Sequence, residues 1–107
     1  MTSGADILFP TERQADEATV TVQGEIDLLE AAQLREQLLK LVDTGSTSLI
    51  VDLTGVTFIG STGIGALIAG HNRVREVGGT LTLRGPSRSV LRVMEITALD
   101  KVFPIVD

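Results

Sequence analysis

Hydrophobic and polar positions along the chain repeat with two different periods, and each period predicts its own kind of secondary structure. Ala18–Gln23 and Thr80–Arg84 alternate at every second residue, so each predicts a strand. Ser48–Leu53 contains an unbroken Leu-Ile-Val run, which is typical of a strand covered on both faces in a parallel sheet. We also expect short strands over Ala5–Phe9 and Val102–Val106.

Helical spacing of apolar residues begins shortly after the predicted strand Ala18–Gln23. Asp27 is predicted to cap a first helix, because Glu30 stands three residues later in the arrangement of a capping box. The apolar residues then recur every three or four positions until a glycine follows, so the helix is expected to end near Asp43.

Two further helices are predicted in the second half of the chain. The first of them has Ser61 or Thr62 as its N-cap and runs to about Val77, where two consecutive glycines end it. A shorter helix follows a turn that closes with Ser87, a residue type that caps helices well. We therefore expect three or four helices in all.

Polar and glycine-containing segments are predicted to connect these elements. Pro10–Glu17 is expected to be a turn between two strands that pair as an antiparallel hairpin, and Gly24 is expected to end the second strand. Thr54–Gly60 is expected to link the third strand to the second helix. The order of elements predicts an α/β fold: a small mixed sheet of four or five strands with the helices packed mainly on one side. Residues 1–107 are expected to form a single domain.

The charge balance argues against two classes of partner. Nine basic residues stand against fourteen acidic ones, which gives a net charge of −5. General binding to nucleic acid and adhesion to an anionic membrane both need a basic surface. No apolar stretch approaches the roughly 20 residues that cross a bilayer, and the N-terminal residues lack the pattern of a signal peptide. We therefore expect a cytoplasmic protein with no nucleic-acid binding and no membrane insertion.

The side chains that metal sites and covalent catalysis require are scarce. The chain has no cysteine, which excludes thiolate metal sites and thiol catalysis. His71 is the only histidine, so a histidine-rich metal site cannot be built. No metal and no cofactor are expected.

Candidate chemistry is concentrated in Asp52–Gly65, at a predicted strand end and helix start, where α/β sheets place their sites. Two nucleotide-binding motifs can be tested there. A P-loop needs a lysine after its glycines, and none occurs between Lys40 and Lys101. A dinucleotide-binding motif needs a third glycine where Ile68 stands.

A hydrolase motif fails on distance. Ser61 lies among glycines, but His71 comes ten positions later on the same predicted helix, about 15 Å away at 1.5 Å per residue. A histidine that activates a serine must lie within hydrogen-bond reach of it, about 3 Å. We therefore expect no catalytic residue and no enzyme activity.

Two interpretations of Ser61 remain open from the residues alone. It can simply cap a helix, which contributes about 1 kcal/mol. It can also accept a phosphoryl group, which adds about −1.5 to −2 charges and switches a docking surface. Thr62 is the second-choice acceptor.

Four stretches of the sequence together resemble the STAS family, and within it the small bacterial anti-sigma factor antagonists. They are Gly24–Asp27, Ile50–Ile59, Gly60–Gly65 and Gly78–Leu81. The resemblance extends over nearly the whole chain. It implies the STAS fold, a small mixed sheet with helices on one side.

The resemblance also implies a function in transcription regulation. Unphosphorylated antagonists bind an anti-sigma factor, typically one with a serine-kinase ATPase fold, and so release the sigma factor. The kinase phosphorylates the serine that corresponds to Ser61, and a separate phosphatase reverses the step. The acidic residue after Gly-Glu-x corresponds to Asp27, near the switch. From the residues alone, Asp27 is equally well interpreted as a helix cap.

We expect the partner to contact the end of the third strand and the first turns of the second helix, together with Asp27. The expected contact residues are Asp27, Phe58, Ile59, Gly60, Ser61, Thr62, Gly63, Ile64, Leu67 and Ile68.

One position departs from the family pattern. Antagonists usually carry aspartate just before the phosphorylated serine, as part of kinase recognition, and here the residue is Gly60. The departure bears on phosphorylation more than on binding. It leaves an alternative function open: a non-switching STAS scaffold, or an accessory subunit of a stress-signalling or lipid-transport complex.

Overall fold

A computed structural model describes residues 9–107 as five strands and three helices, with a short 3₁₀ turn near the C-terminus. The expected strand over Ala5–Phe9 lies outside the described residues except for Phe9, which is buried just before the first strand. The elements are β1 (Thr11–Gln14), β2 (Glu17–Ile26), α1 (Leu28–Asp43), β3 (Ser48–Ile59), α2 (Ser61–Glu76), β4 (Thr80–Arg84), α3 (Arg88–Ile96) and β5 (Ile105–Val106).

The five strands form one mixed sheet in the order β1-β2-β3-β4-β5. β1 pairs with β2 in antiparallel fashion, and each later pair is parallel. Because a helix separates each pair of parallel strands, β2, β3 and β4 all end at the same edge of the sheet. The mixed sheet expected from the sequence is confirmed.

The main helices cover one face of this sheet. α1 and α2 pack against each other, and Gly70 of α2 makes the close approach possible. A Cβ atom at Gly70 would lie 2.9 Å from Leu38 Cδ1 of α1 and 3.1 Å from Leu81 Cδ1 of β4. From α3, Val90 and Met94 join the same continuous apolar core. The helices therefore lie mainly on one side, as expected.

The other face of the sheet is not covered by any helix of residues 9–107. Ile50 and Asp52 of β3 point away from the core and are only half-buried. Polar side chains accompany them on the neighbouring strands, at Thr21 and Thr82. The expectation that β3 is covered on both faces is therefore wrong, since the Leu-Ile-Val run buries Leu and Val but leaves Ile partly exposed.

The polar N-terminal segment is a strand rather than the expected turn. Thr11–Gln14 pairs with β2, and the reversal is confined to Ala15 and Asp16, where Ala15 adopts a φ of 55°. β1 is an edge strand with mostly exposed side chains, so it shows no apolar alternation that a sequence pattern could reveal. At the opposite edge β5 has only two residues.

β2 and β3 both continue beyond their expected ends. β2 passes through Gly24, whose φ is 80°, and β3 includes most of the segment expected to be a connection. The pairing of the two strands shifts by one residue twice, between Thr21 and Gln23 and again between Gly24 and Glu25. On β3 the spacing of buried residues changes from two to three at the same places, so alternation fails where the ladder is irregular.

Candidate functional site

α1 and α2 begin side by side because the strands that precede them end in register. Ile26, the last residue of β2, pairs with Ile59, the last residue of β3. Gly60, the residue after β3, donates its N–H to the carbonyl oxygen of Ile26 at 3.1 Å. Asp27 follows Ile26 directly, so this edge brings together Asp27 and the Gly60–Ser61 pair.

The start of α1 is capped by its own side chains. The carboxylate of Asp27 accepts a hydrogen bond from the N–H of Leu28 at 2.9 Å. The Glu30 carboxylate accepts one from the N–H of Asp27 at 3.3 Å and completes the capping box. The predicted cap is confirmed, and the Asp27 carboxylate is held in place on the surface of this edge.

The start of α2 has no side-chain cap. Its N-cap is Gly60, with extended backbone at φ −87° and ψ 179°, and Ser61 is the first residue of the helix. The expectation that Ser61 or Thr62 is the N-cap is therefore wrong by one residue. Both hydroxyl-bearing residues are exposed. Ser61 thus makes no side-chain cap for α2.

The glycines near the start of α2 differ in whether the surrounding structure leaves space for a side chain. A Cβ atom at Gly63 would lie 2.6 Å from Ile59 Cγ1, so glycine there lets α2 pack onto the end of β3. At Gly60 the nearest atom would be Phe58 Cε2 at 3.6 Å, an ordinary contact. At Gly65 a Cβ atom would meet nothing within 4 Å. Only Gly63 is required by the packing of the chain itself.

The structure separates the expected contact residues by burial. Phe58 is 52% exposed, and Ser61 and Thr62 are exposed as well. Gly60 is half-buried, as are Ile64 and Ile68, whose side chains pack partly against the core. Asp27 is exposed, whereas Ile59, Gly63 and Leu67 are buried and offer no side-chain surface to a partner.

Sequence reasoning missed two residues of this edge. Leu28 and Leu29, the first two residues of α1, are 70% and 64% exposed. Two consecutive leucines immediately after a helix cap are a usable signal, since both cannot point to the core when the buried positions are Ala31 and Leu34. The edge is therefore more apolar than the sequence analysis indicated.

Asp52 and His71 interact with residues that are not part of this edge. The Asp52 carboxylate accepts hydrogen bonds from the Thr54 hydroxyl at 2.6 Å and N–H at 3.0 Å, and pairs with Arg84 at 3.0 Å. These Thr54 bonds, helped by Arg84, lower the pKa of Asp52. His71 packs edge-on against Phe103, and burial, with Arg75 second, lowers its pKa so that the neutral ring is favoured.

Two further observations concern residues 9–107 as a whole. Nowhere in this range are three acidic or histidine side chains grouped so that they could bind a metal ion. None of its helices combines the length and apolar character needed to cross a membrane.

Comparison with known proteins identifies the family. A family model described as "Mlab, STAS domain" matches residues 9–107. The chain belongs to the STAS domain family. The match includes every strand and helix described above, from β1 to β5.

Curated relatives of this STAS domain are anti-sigma factor antagonists, which are regulatory binding proteins and not enzymes. The anti-sigma-B factor antagonist of Bacillus subtilis (strain 168) is 32% identical over 100 residues, covering 94% of this chain and 91% of that protein. The anti-sigma-F factor antagonist RsfB of Mycobacterium tuberculosis is 34% identical over 87 residues, covering 80% and 70% of the two chains.

A solved structure with the same fold is the Bacillus anti-sigma factor antagonist SpoIIAA. In its unphosphorylated form it superimposes with a TM-score of 0.83 at 21% identity, over 92% of this chain and 88% of its own. The same protein has also been solved in a phosphorylated form, with a TM-score of 0.75 at 20% identity over 92% and 91% of the chains. At these identities the likeness shows the fold.

Proposed function

We propose that this STAS protein is an anti-sigma factor antagonist controlled at Ser61. Its unphosphorylated form binds an anti-sigma factor with a serine-kinase ATPase fold and so releases the sigma factor. Phosphorylation of Ser61 by that kinase ends the binding, and a phosphatase that acts on the phosphorylated form restores it. The protein works in the cytoplasm.

One observation carries the proposal: Ser61 is exposed at the uncapped start of α2, beside an exposed apolar side chain at Phe58. A hydroxyl in this position is accessible to a kinase and small enough for a close-fitting interface. The antagonist function is supported by the curated relatives, and switching is supported by the existence of a phosphorylated form in the structural relative.

Charge explains how phosphate on Ser61 would end binding. Asp27 and Glu25 are exposed acidic residues on the same edge, and Phe58 is exposed and apolar. A phosphoryl group adds about −1.5 to −2 charges at pH 7, which apolar partner surface cannot solvate. Free N–H groups of the first turn of α2 stabilise the modified serine locally. The fold therefore tolerates the modification while the interface does not.

The test uses purified anti-sigma factors of the serine-kinase fold from the same organism, each titrated calorimetrically with three forms of this protein. Wild type and Ser61→Ala should bind equally, since Ser61 caps nothing and alanine suits a helix. Ser61→Glu should bind at least about tenfold more weakly because it places a charge in the interface. Equal affinity of all three forms for the partner would refute the switch.

Mass spectrometry after incubation with the kinase and ATP identifies the acceptor. Phosphate should appear on Ser61 in wild type and in the control Thr62→Ala, and it should be missing in Ser61→Ala. Phosphate that persists in Ser61→Ala and disappears in Thr62→Ala would transfer the role to Thr62.

Gly60 favours a second candidate function, a non-switching scaffold or accessory subunit of a stress-signalling or lipid-transport complex. With glycine at this position, no carboxylate stands directly before the serine. A protein that binds its partner but gains no phosphate from any tested kinase would support this alternative.

A further inference from the structure

A groove runs between α1 and α2 and opens at the edge that carries Ser61. It has a volume of about 430 Å³. Its walls are formed by Leu28, Ala32 and Arg35 of α1 and by Thr62, Gly65 and Ala66 of α2. Since Thr62 directly follows Ser61, the groove continues the surface on which the proposed function depends.

Exposed apolar surface lies at the α1 side of this groove. Leu28, which lines it, is 70% exposed, and its neighbour Leu29 is 64% exposed. Adjacent exposed large apolar side chains are typical of interaction sites, whereas isolated ones carry no such meaning. The groove is therefore a surface from which binding would remove a substantial apolar area.

Gly65 is a glycine that the protein's own packing does not explain. Within a helix, glycine is about 1 kcal/mol less favourable than alanine. Gly63 and Gly70 are explained, because a Cβ atom would lie 2.6 Å from Ile59 Cγ1 in the first case and 2.9 Å from Leu38 Cδ1 in the second. At Gly65 a Cβ atom would point into open space, on the wall of the groove. The missing side chain widens the groove where another backbone could approach.

Arg35 gives the groove a positive charge further along α1, away from the helix start. It lies two helical turns after Leu28, is exposed, and forms no ion pair with any carboxylate of residues 9–107. An arginine guanidinium presents a fixed fork of donors that matches a carboxylate. The charge that complements this part of the groove is therefore negative, although the protein as a whole carries a net charge of −5.

We propose that this groove receives an amphipathic helix of the anti-sigma factor, with Gly65 as the point of closest approach and a carboxylate of that helix bound to Arg35. A helix suits the site because a third helix packs along two others when small residues such as Ala32 and Gly65 form the contact. Aliphatic side chains of the incoming helix cover Leu28. The inference rests on the proposed function, since it assigns a second area of contact to the same partner.

Filling the groove is the first test. A Cβ atom at Gly65 would meet nothing within 4 Å, so Gly65→Leu adds a side chain on the wall of the groove and should remain folded. Asn72→Leu is the matched control, because it adds the same side chain at an exposed position two turns further along α2, outside the groove. Gly65→Leu should weaken binding of the anti-sigma factor about tenfold or more, and Asn72→Leu should leave it unchanged.

Reversing the charge is the second test. Arg35→Glu should weaken binding and reduce its dependence on salt, whereas Lys40→Glu, an equal change of charge in the last turn of α1, should do neither. Circular dichroism and denaturation midpoints should show that all four variants are folded, and a variant that is unfolded is not used to judge binding.

The results separate this inference from the proposed function. If Ser61→Glu abolishes binding while Gly65→Leu and Arg35→Glu bind like wild type, the groove is not part of the interface and the proposed function stands. If no anti-sigma factor binds wild type, the proposed function itself fails. A wild-type dimer in sedimentation that Gly65→Leu converts to a monomer would show that the groove receives a second copy, which also overturns the inference.

Discussion

The starts of α1 and α2 lie next to each other but are stabilised in different ways. Both helices have 16 residues and both follow a parallel strand at the same edge. α1 begins with a reciprocal pair of side-chain hydrogen bonds from Asp27 and Glu30, while α2 begins at Gly60 with none. The comparison shows that side-chain hydrogen bonds cap the start of α1, whereas the first N–H groups of α2 have no side-chain acceptor.

The open start is also where the exposed hydroxyls stand. A capping side chain at position 60 would accept hydrogen bonds from the first N–H groups of α2. Because α2 is instead secured by packing, through Gly63 against β3 and Gly70 against α1, its first turn needs no cap to stay in place. Packing at Gly63 and Gly70 thus stabilises α2, while Ser61 and Thr62 at its start remain exposed.

The packing of α2 gives the largest expected effect. Gly63→Ala places a Cβ atom 2.6 Å from Ile59 Cγ1 and 3.0 Å from Ile26 Cγ2, both in the core. We expect a loss of about 2 kcal/mol in the free energy of unfolding, measured by urea denaturation. Gly65→Ala is the control and should gain up to about 1 kcal/mol, because it fills only open space. An unchanged midpoint for Gly63→Ala would mean that α2 is not anchored at its start.

Removing the cap of α1 should have the next largest effect. Asp27→Ala deletes the acceptor for the first turn and should lower the free energy of unfolding by about 1 kcal/mol. Gly60→Ala at the start of α2 removes no side-chain hydrogen bond and should cost less, about 0.5 kcal/mol, because alanine is a poorer N-cap than glycine. Equal losses for the two variants would remove the contrast between the helix starts.

Asp52, which lies away from both helix starts, should make a pH-dependent contribution to the free energy of unfolding. The Thr54 bonds and Arg84 lower the pKa of Asp52 below its ordinary 3.8, so its contribution is present above that value and is lost as the pH falls through the lowered pKa. Asp52→Asn should therefore reduce stability by roughly 0.5–1 kcal/mol at pH 7. The free energies of unfolding of the variant and wild type should converge only as the pH falls from 3.8 through the lowered pKa of Asp52, and a constant gap would contradict this account.

Restoring a cap to α2 should have the smallest effect on stability. Gly60 has extended backbone and room for a side chain, so Gly60→Asp should fold and gain a few tenths of a kcal/mol. If aspartate before the serine serves kinase recognition, Ser61 should also be phosphorylated faster in this variant. A thermal midpoint that falls would show that glycine is required at this helix start.

Local patterns in the sequence predicted the parts of the fold that local interactions determine. The capping box of α1 is contained in four residues, and Asp27 and Glu30 interact in the structure as their spacing indicates. The parallel strand–helix–strand order follows from apolar periods and is confirmed, as is the cap at Ser87.

Interactions between strands determined the parts that the sequence could not predict. β3 runs on to Ile59 through two shifts of register, and these shifts break the alternation that marks a strand. The exposed edge strand β1 has no apolar pattern at all. The sequence also could not predict which apolar residues of the candidate site are buried. Leu67 is in the core and Ile68 is half-buried, although the two are consecutive and equally apolar.

The two ends of the sheet have a consequence for how this protein behaves at high concentration. One outer strand, β1, carries exposed Glu12 and Arg13, and the other, β5, is only two residues long. Charged or very short outer strands are poor templates for the addition of a further strand, so the described sheet resists growth into larger aggregates. Crowded protein should therefore stay dispersed, and recognition is left to side chains at the helix starts.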